Sequence, residues 1–125
     1  MIFAHGSSIE SANESVRRIA ETVRIEGGFD LVEPAFLEQG RPDLASAVAA
    51  LVHQGATRIV VLPYFLTLGV HLQRDLPKLV EDLGRAHSGL DIRVASPLEG
   101  HPALRQILEE RAYEALRLEK SPKLP

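Results

Sequence analysis

Short apolar runs alternate four times with amphipathic helical stretches along this 125-residue chain, and that alternation leaves few architectures open. The first run, Met1 to Ala4, precedes a helix whose inward face reads Val16, Ile19, Ala20 and Val23, the i, i+3, i+4, i+7 spacing. After the Gly27-Gly28 break a second strand is expected from Phe29 to Phe36. The second helix is expected to open at Arg41-Pro42-Asp43, where proline suits a first turn and aspartate the positive end of the helix dipole. It turns Leu44, Ala47, Val48, Leu51 and Val52 inward until Gly55 stops it. A third and most apolar strand, Arg58 to Leu62, leads through Pro63 to His71 into a helix expected to be capped by Asp75. Pro77 then falls in its first turn, and Leu76, Leu79, Val80 and Leu83 face inward. A fourth strand, Asp91 to Ser96, and a last helix from Pro102, striped by Leu104, Ile107, Leu108, Ala112, Ala115 and Leu116, complete the series. Residues 1–116 read as one domain and 117–125 as a polar, proline-bearing tail.

Strand-then-helix repeats with crossovers long enough to hold a helix force parallel pairing, with helices covering both faces of the sheet. The expected fold is therefore α/β, a small doubly wound parallel four-stranded sheet flanked by helices. In the usual order 2-1-3-4 the chain reverses direction between strands 1 and 3, and ligands bind outside the carboxyl ends at that reversal. His5 follows the first strand and His71 follows the third. Two neutral imidazoles brought to one crevice suggest a transition metal.

Composition narrows the chemistry. The chain holds no cysteine, which excludes a thiolate metal site, a disulfide framework and a cysteine nucleophile and leaves a metal only N and O ligands. A formal charge of −3 argues against nucleic acid or an anionic membrane as partner. No apolar stretch approaches the roughly 20 residues that span a bilayer, so a soluble, cytoplasmic protein is expected.

Other groups on the same edge have two readings each. The His5-Gly6-Ser7-Ser8 segment offers free N–H groups that could cradle a phosphate, although it lacks the lysine of a P-loop. Ser7 has no nucleophile elbow around it. Glu38, after the second strand, is a base or metal ligand, or else a solvated loop carboxylate. Arg41 and Arg74 follow the second and third strands and could hold carboxylates, or simply flank helices. One of Tyr64 and Phe65 belongs in the core, and the other could pave a cleft. His53 and His87 fit solvated positions, and His101 either lines the crevice or starts a helix with Pro102.

In chain order, His5-Gly6-Ser7, Glu33-Pro34-Ala35-Phe36-Leu37-Glu38, Pro42-Asp43-Leu44, Pro63-Tyr64-Phe65-Leu66 with Gly69-Val70-His71, and Asp75-Leu76-Pro77 resemble the small sirohydrochlorin cobaltochelatases, the CbiX-like class II tetrapyrrole chelatases of cobalamin biosynthesis. The likeness runs to about Leu116. It implies a single chelatase lobe working as a homodimer, with two copies facing a tetrapyrrole. It also implies His5 and His71 as metal-binding histidines and Glu38 as an acid near the substrate. Ser7, Arg41, Arg74 and Tyr64 become the expected substrate contacts. The divalent metal is then a substrate, most simply Co²⁺, with Ni²⁺ or Fe²⁺ insertion and a non-catalytic metal or tetrapyrrole carrier as alternatives; no organic cofactor is implied. Two departures stand out: only four residues precede His5, and Ser8 stands where the family commonly has arginine.

Overall fold

The computed structural model describes residues 1–120, with side chains through Arg117. Four strands and four helices alternate: β1 (Ile2–Ala4), α1 (Glu10–Gly27), β2 (Pro34–Phe36), α2 (Leu44–His53), β3 (Arg58–Pro63), α3 (Val70–Ala86), β4 (Asp91–Val94) and α4 (Pro102–Lys120). The sheet has order β2-β1-β3-β4, all neighbours parallel. That is the doubly wound arrangement the alternation predicts, with the reversal between β1 and β3.

Strand alternation sorts the core into two layers. Met1, Phe3, Ala35, Ile59 and Val61 face α2 and α3, where Leu44, Ala47, Val48, Leu51, Leu76, Val80 and Leu83 meet them. Ile2, Ala4 and Phe36 face α1 and bury Val16 and Ala20. Phe3 and Phe36 are wholly buried, one in each layer, and truncating either to alanine would cost about 3–5 kcal/mol. No described helix is long and apolar enough to cross a membrane.

Several expected boundaries move, each for a local reason. The strand expected from Phe29 is confined to Pro34–Phe36, because Gly28 takes the left-handed conformation and both it and Phe29 donate N–H groups to the Arg24 carbonyl, closing α1. Phe29 and Leu31 are left exposed in the return loop. Pro42 lies outside α2: the cap is Asp43, whose carboxylate accepts the Ser46 N–H at 2.8 Å. The third helix starts five residues before Asp75, with Gly69 at its cap and Pro77 in its interior. Leu72, Leu76, Val80 and Leu83 keep an unbroken inward stripe through the proline, and that packing extends the helix back to Val70. β4 stops at Val94, short of Ser96.

The largest departure is α4. From Pro102 to Arg117 every residue but Leu104 is exposed, and no α4 residue belongs to either core layer. The stripe expected to cover the sheet is present but directed away from it. Gly100, at φ 77°, turns the chain, and His101 Nδ1 accepts the Ala103 N–H at 3.0 Å to start the helix on that heading. The helix also runs to Lys120, past Arg117 where the tail was expected to begin; the remainder of that tail lies outside the described residues.

Candidate metal centre

The carboxyl edge of the sheet is built by two loops that grip each other. After β1, the His5 carbonyl accepts the Glu38 N–H at 3.0 Å and the Ala4 carbonyl accepts the Leu37 N–H at 2.9 Å. Gly6 sits at φ 92°, and a Cβ there would stand 1.7 Å from the Glu38 carbonyl oxygen. No side chain fits that contact, which is why glycine follows His5.

A buried asparagine completes the grip. Asn13, 2% exposed, accepts the Ser7 N–H through Oδ1 and donates through Nδ2 to the carbonyls of Ser7 and Gln39, each at 2.9 Å. One amide thus ties the loop carrying His5 to the loop carrying Glu38. Sequence reasoning missed it, although Asn13 precedes Val16 and Ala20 at i+3 and i+7 on the buried face of α1. A polar residue in register with an apolar stripe was the available signal. Arg17 adds to this corner, its guanidinium 5.6 Å from the centre of the Phe36 ring.

The result is an imidazole and a carboxylate side by side. His5 Nε2 lies 3.2 Å from Glu38 Oε1, both side chains more than half exposed, while His5 Nδ1 faces the Gly6 carbonyl at 3.2 Å. In the tautomer with the proton on Nδ1, that proton goes to the Gly6 carbonyl and Nε2 is left to share a cation with the carboxylate; in the other, Nε2–H donates to Glu38 directly. An ion with bonds of about 2.1 Å to N and O holds adjacent ligands about 3.0–3.4 Å apart, so these two atoms already stand at a bite distance. Among the described residues no three His, Asp or Glu side chains are grouped to hold one ion.

His71 occupies the first turn of α3, one turn from Arg74. Arg74 Nη2 donates to His71 Nδ1 at 3.3 Å, and Arg74 Nε pairs with Asp75 at 2.9 Å. Arg74 holds the Asp75 carboxyl below its ordinary range through that hydrogen bond, and Asp75 in turn raises the guanidinium. The structure therefore groups His5 with Glu38, on the loops after β1 and β2, and His71 with Arg74, in the first turns of α3.

The remaining candidates separate cleanly. Ser7 Oγ accepts the Ile9 N–H at 3.0 Å, turning the chain into α1. Arg41 lines a shallow depression of about 650 Å³ with Gln39, Gly40, Pro42, Asp43 and Ser46, next to the Glu38 loop. A second depression, of about 520 Å³ between α1 and the approach to β2, contains none of the candidate residues. Tyr64 is exposed, while Phe65 packs edge-on against Phe3 at 6.0 Å between ring centres, so the phenylalanine is the one that belongs to the core. His101 takes the helix-start role through its bond to Ala103.

Fold and edge together define a small parallel α/β lobe with histidine and carboxylate donors at its topological reversal. The CbiX family model matches residues 1–115, and the chain belongs to that family. It is 32% identical over 117 residues to the sirohydrochlorin cobaltochelatase of Sulfurisphaera tokodaii, spanning 94% of this chain and 92% of that protein. It is also 32% identical over 116 residues to the chloroplastic sirohydrochlorin ferrochelatase of Arabidopsis thaliana, covering 93% of this chain but about half, 52%, of the plant protein. The crystal structure of a putative cobalamin biosynthesis CbiX protein from Marinobacter aquaeolei superposes with a TM-score of 0.79 at 31% identity, over 93% of this chain and 94% of that one.

Proposed function

We propose that this protein is a metal chelatase that inserts a divalent cation, cobalt foremost, into sirohydrochlorin, working in the cytoplasm as a homodimer. The observation that carries the reading is the His5–Glu38 pair, an N and an O donor 3.2 Å apart on the carboxyl edge of a CbiX-family lobe.

Insertion makes opposed demands. The ion must shed water to enter the ring, yet leave the protein afterwards. Imidazole and carboxylate bind first-row divalent ions well and, unlike a closed thiolate set, release them. A pair of protein donors keeps the other coordination positions open for water and then for pyrrole nitrogen. His5 and Glu38 supply that pair, and His71 joins from the first turn of α3 once its Nδ1 exchanges Arg74 for the incoming substrate or ion.

Two pyrrole N–H protons must leave as the two M–N bonds that replace them form. The Glu38 carboxylate, freed as the ion departs, accepts one, and the His71 imidazole, released from the ion in the same step, accepts the other before passing it to water. Each such transfer contributes roughly 10²–10⁴-fold. The macrocycle's carboxylates need cations in a chain that is net negative, and Arg41 and Arg74 stand beside the two donor loops. Arg74 already pairs with Asp75, so a substrate carboxylate exchanges for an existing partner there. Tyr64 offers a ring face to the macrocycle, and the Ser7 hydroxyl still has a proton to donate.

A related cobaltochelatase and a related ferrochelatase share equal identity with this chain, so the ion is settled by rate. Steady-state insertion of Co²⁺, Ni²⁺ and Fe²⁺ into sirohydrochlorin, followed by absorbance, tests the proposal. Cobalt is expected to turn over fastest; binding of ring and metal with no acceleration of insertion would make the protein a carrier instead.

A further inference from the structure

The two histidines at the carboxyl edge are held in opposite ways. His5 has acceptors at both ring nitrogens, the Gly6 carbonyl at Nδ1 and the Glu38 carboxylate at Nε2, each at 3.2 Å. Both partners attract a cation. His71 instead meets a donor: a guanidinium has only N–H groups to offer, so His71 Nδ1 is the acceptor of Arg74 Nη2 at 3.3 Å. A neutral imidazole carries one proton and one lone pair, and with the lone pair given to Arg74 the proton lies on Nε2. Neither nitrogen of His71 is then open to a metal. Moving the proton to Nδ1 would set two N–H groups against each other, so the ring stays closed while Arg74 is in place.

We propose that Arg74 is a latch on His71 that a carboxylate of the macrocycle opens, so that ring binding and metal capture by His71 are coupled. This deepens the chelatase reading above and rests on it. Asp75 anchors the guanidinium through Nε at 2.9 Å, which keeps the cation one helical turn from His71 although all three side chains are exposed. Of the two bonds Arg74 makes here, the one to His71 is the weaker, because it is longer and its acceptor is neutral. A substrate carboxylate is charged and competes for Nη2 with roughly twice the strength of a neutral acceptor. Its arrival does two things at once. It neutralises the cation that faces the incoming ion, and it returns the Nδ1 lone pair to His71. By linkage, the macrocycle and the ion then tighten each other's binding. The His5–Glu38 pair has no such cover, so the ion rests there until His71 opens.

Calorimetric titration of the full chain with Co²⁺ alone tests the latch without turnover. Arg74→Ala puts the best helix former at an exposed position and should bind Co²⁺ about fivefold tighter than wild type, the opposite of what loss of a structural contact does. In a His71→Ala background the same substitution should change the affinity by less than about twofold. In steady-state insertion, the KM for Co²⁺ should fall as sirohydrochlorin is raised in wild type and stay level in Arg74→Ala, whose KM for sirohydrochlorin rises. Unchanged or weaker Co²⁺ binding by Arg74→Ala would overturn the latch. Tightening that persists without His71 would overturn it too, since that is plain charge repulsion, and either result leaves wild-type insertion standing. A wild type that binds ring and metal without inserting would instead end the chelatase reading, and the titrations would still decide the latch.

Discussion

His5 Nε2 and Glu38 Oε1 stand 3.2 Å apart, while the opposite nitrogen of the same imidazole faces the Gly6 carbonyl at 3.2 Å. Glu38→Gln keeps the shape but gives up the charge. Titration with Co²⁺, followed by its visible absorption, should show affinity weakened by about 10–100-fold, with His5→Ala weaker still. Unchanged affinity in both would remove this pair from the metal centre.

Gly6 holds the pair in register through a contact no side chain tolerates. Gly6→Ala would place a methyl 1.7 Å from the Glu38 carbonyl oxygen on a backbone at φ 92°, so the Glu38 loop must move. Insertion should fall by roughly 10-fold or more while circular dichroism stays native, since a 1 Å misplacement is costly to chemistry. Wild-type turnover in this variant would show that the loop contact does not position Glu38.

Asn13 is the buried tie between the two loops. Asn13→Ala strands the Ser7 N–H and the Ser7 and Gln39 carbonyls, at a cost of about 2–4 kcal/mol. Thermal melting should report that loss, and Co²⁺ affinity should fall with it. Retention of wild-type melting would mean that these polar groups find other partners.

Asp43 gives a pH signature. The Ser46 backbone N–H holds its carboxyl below the usual range. Because the folded value is the lower one, its contribution is complete above the unfolded value of about 3.9 and is lost as pH falls through the folded one. Asp43→Ala should cost about 1 kcal/mol at neutral pH, at an exposed cap screened by water. Urea unfolding of both proteins should show that gap closing below about pH 4. A gap that stays constant with pH would contradict the cap assignment.

The sheet was legible in the sequence because its signal is local: apolar runs of strand length between helices of period 3.6 leave parallel order 2-1-3-4 as the simplest closure. The positions of His5 and Glu38 were legible for the same reason, each lying just past a strand whose end the pattern marks. What was not legible depended on partners distant in the chain. The start of α3 is decided by Leu72 packing against the core, which outweighs the capping preference of Asp75 and the breaking tendency of Pro77. Asn13 acts through Gln39, 26 positions away, so its role emerges only when the two loops meet. In α4 the amphipathic pattern correctly marks an apolar face, but periodicity says nothing about whose surface that face meets.

The central claim is that donors from separate strand ends act on one exchangeable ion. Its most direct test is the steady-state rate of Co²⁺ insertion into sirohydrochlorin by wild type, His5→Ala and His71→Ala, each checked for native circular dichroism. Both variants should lose about 10²-fold or more, the scale of a lost ligand or base. Wild-type rates in both would contradict the account.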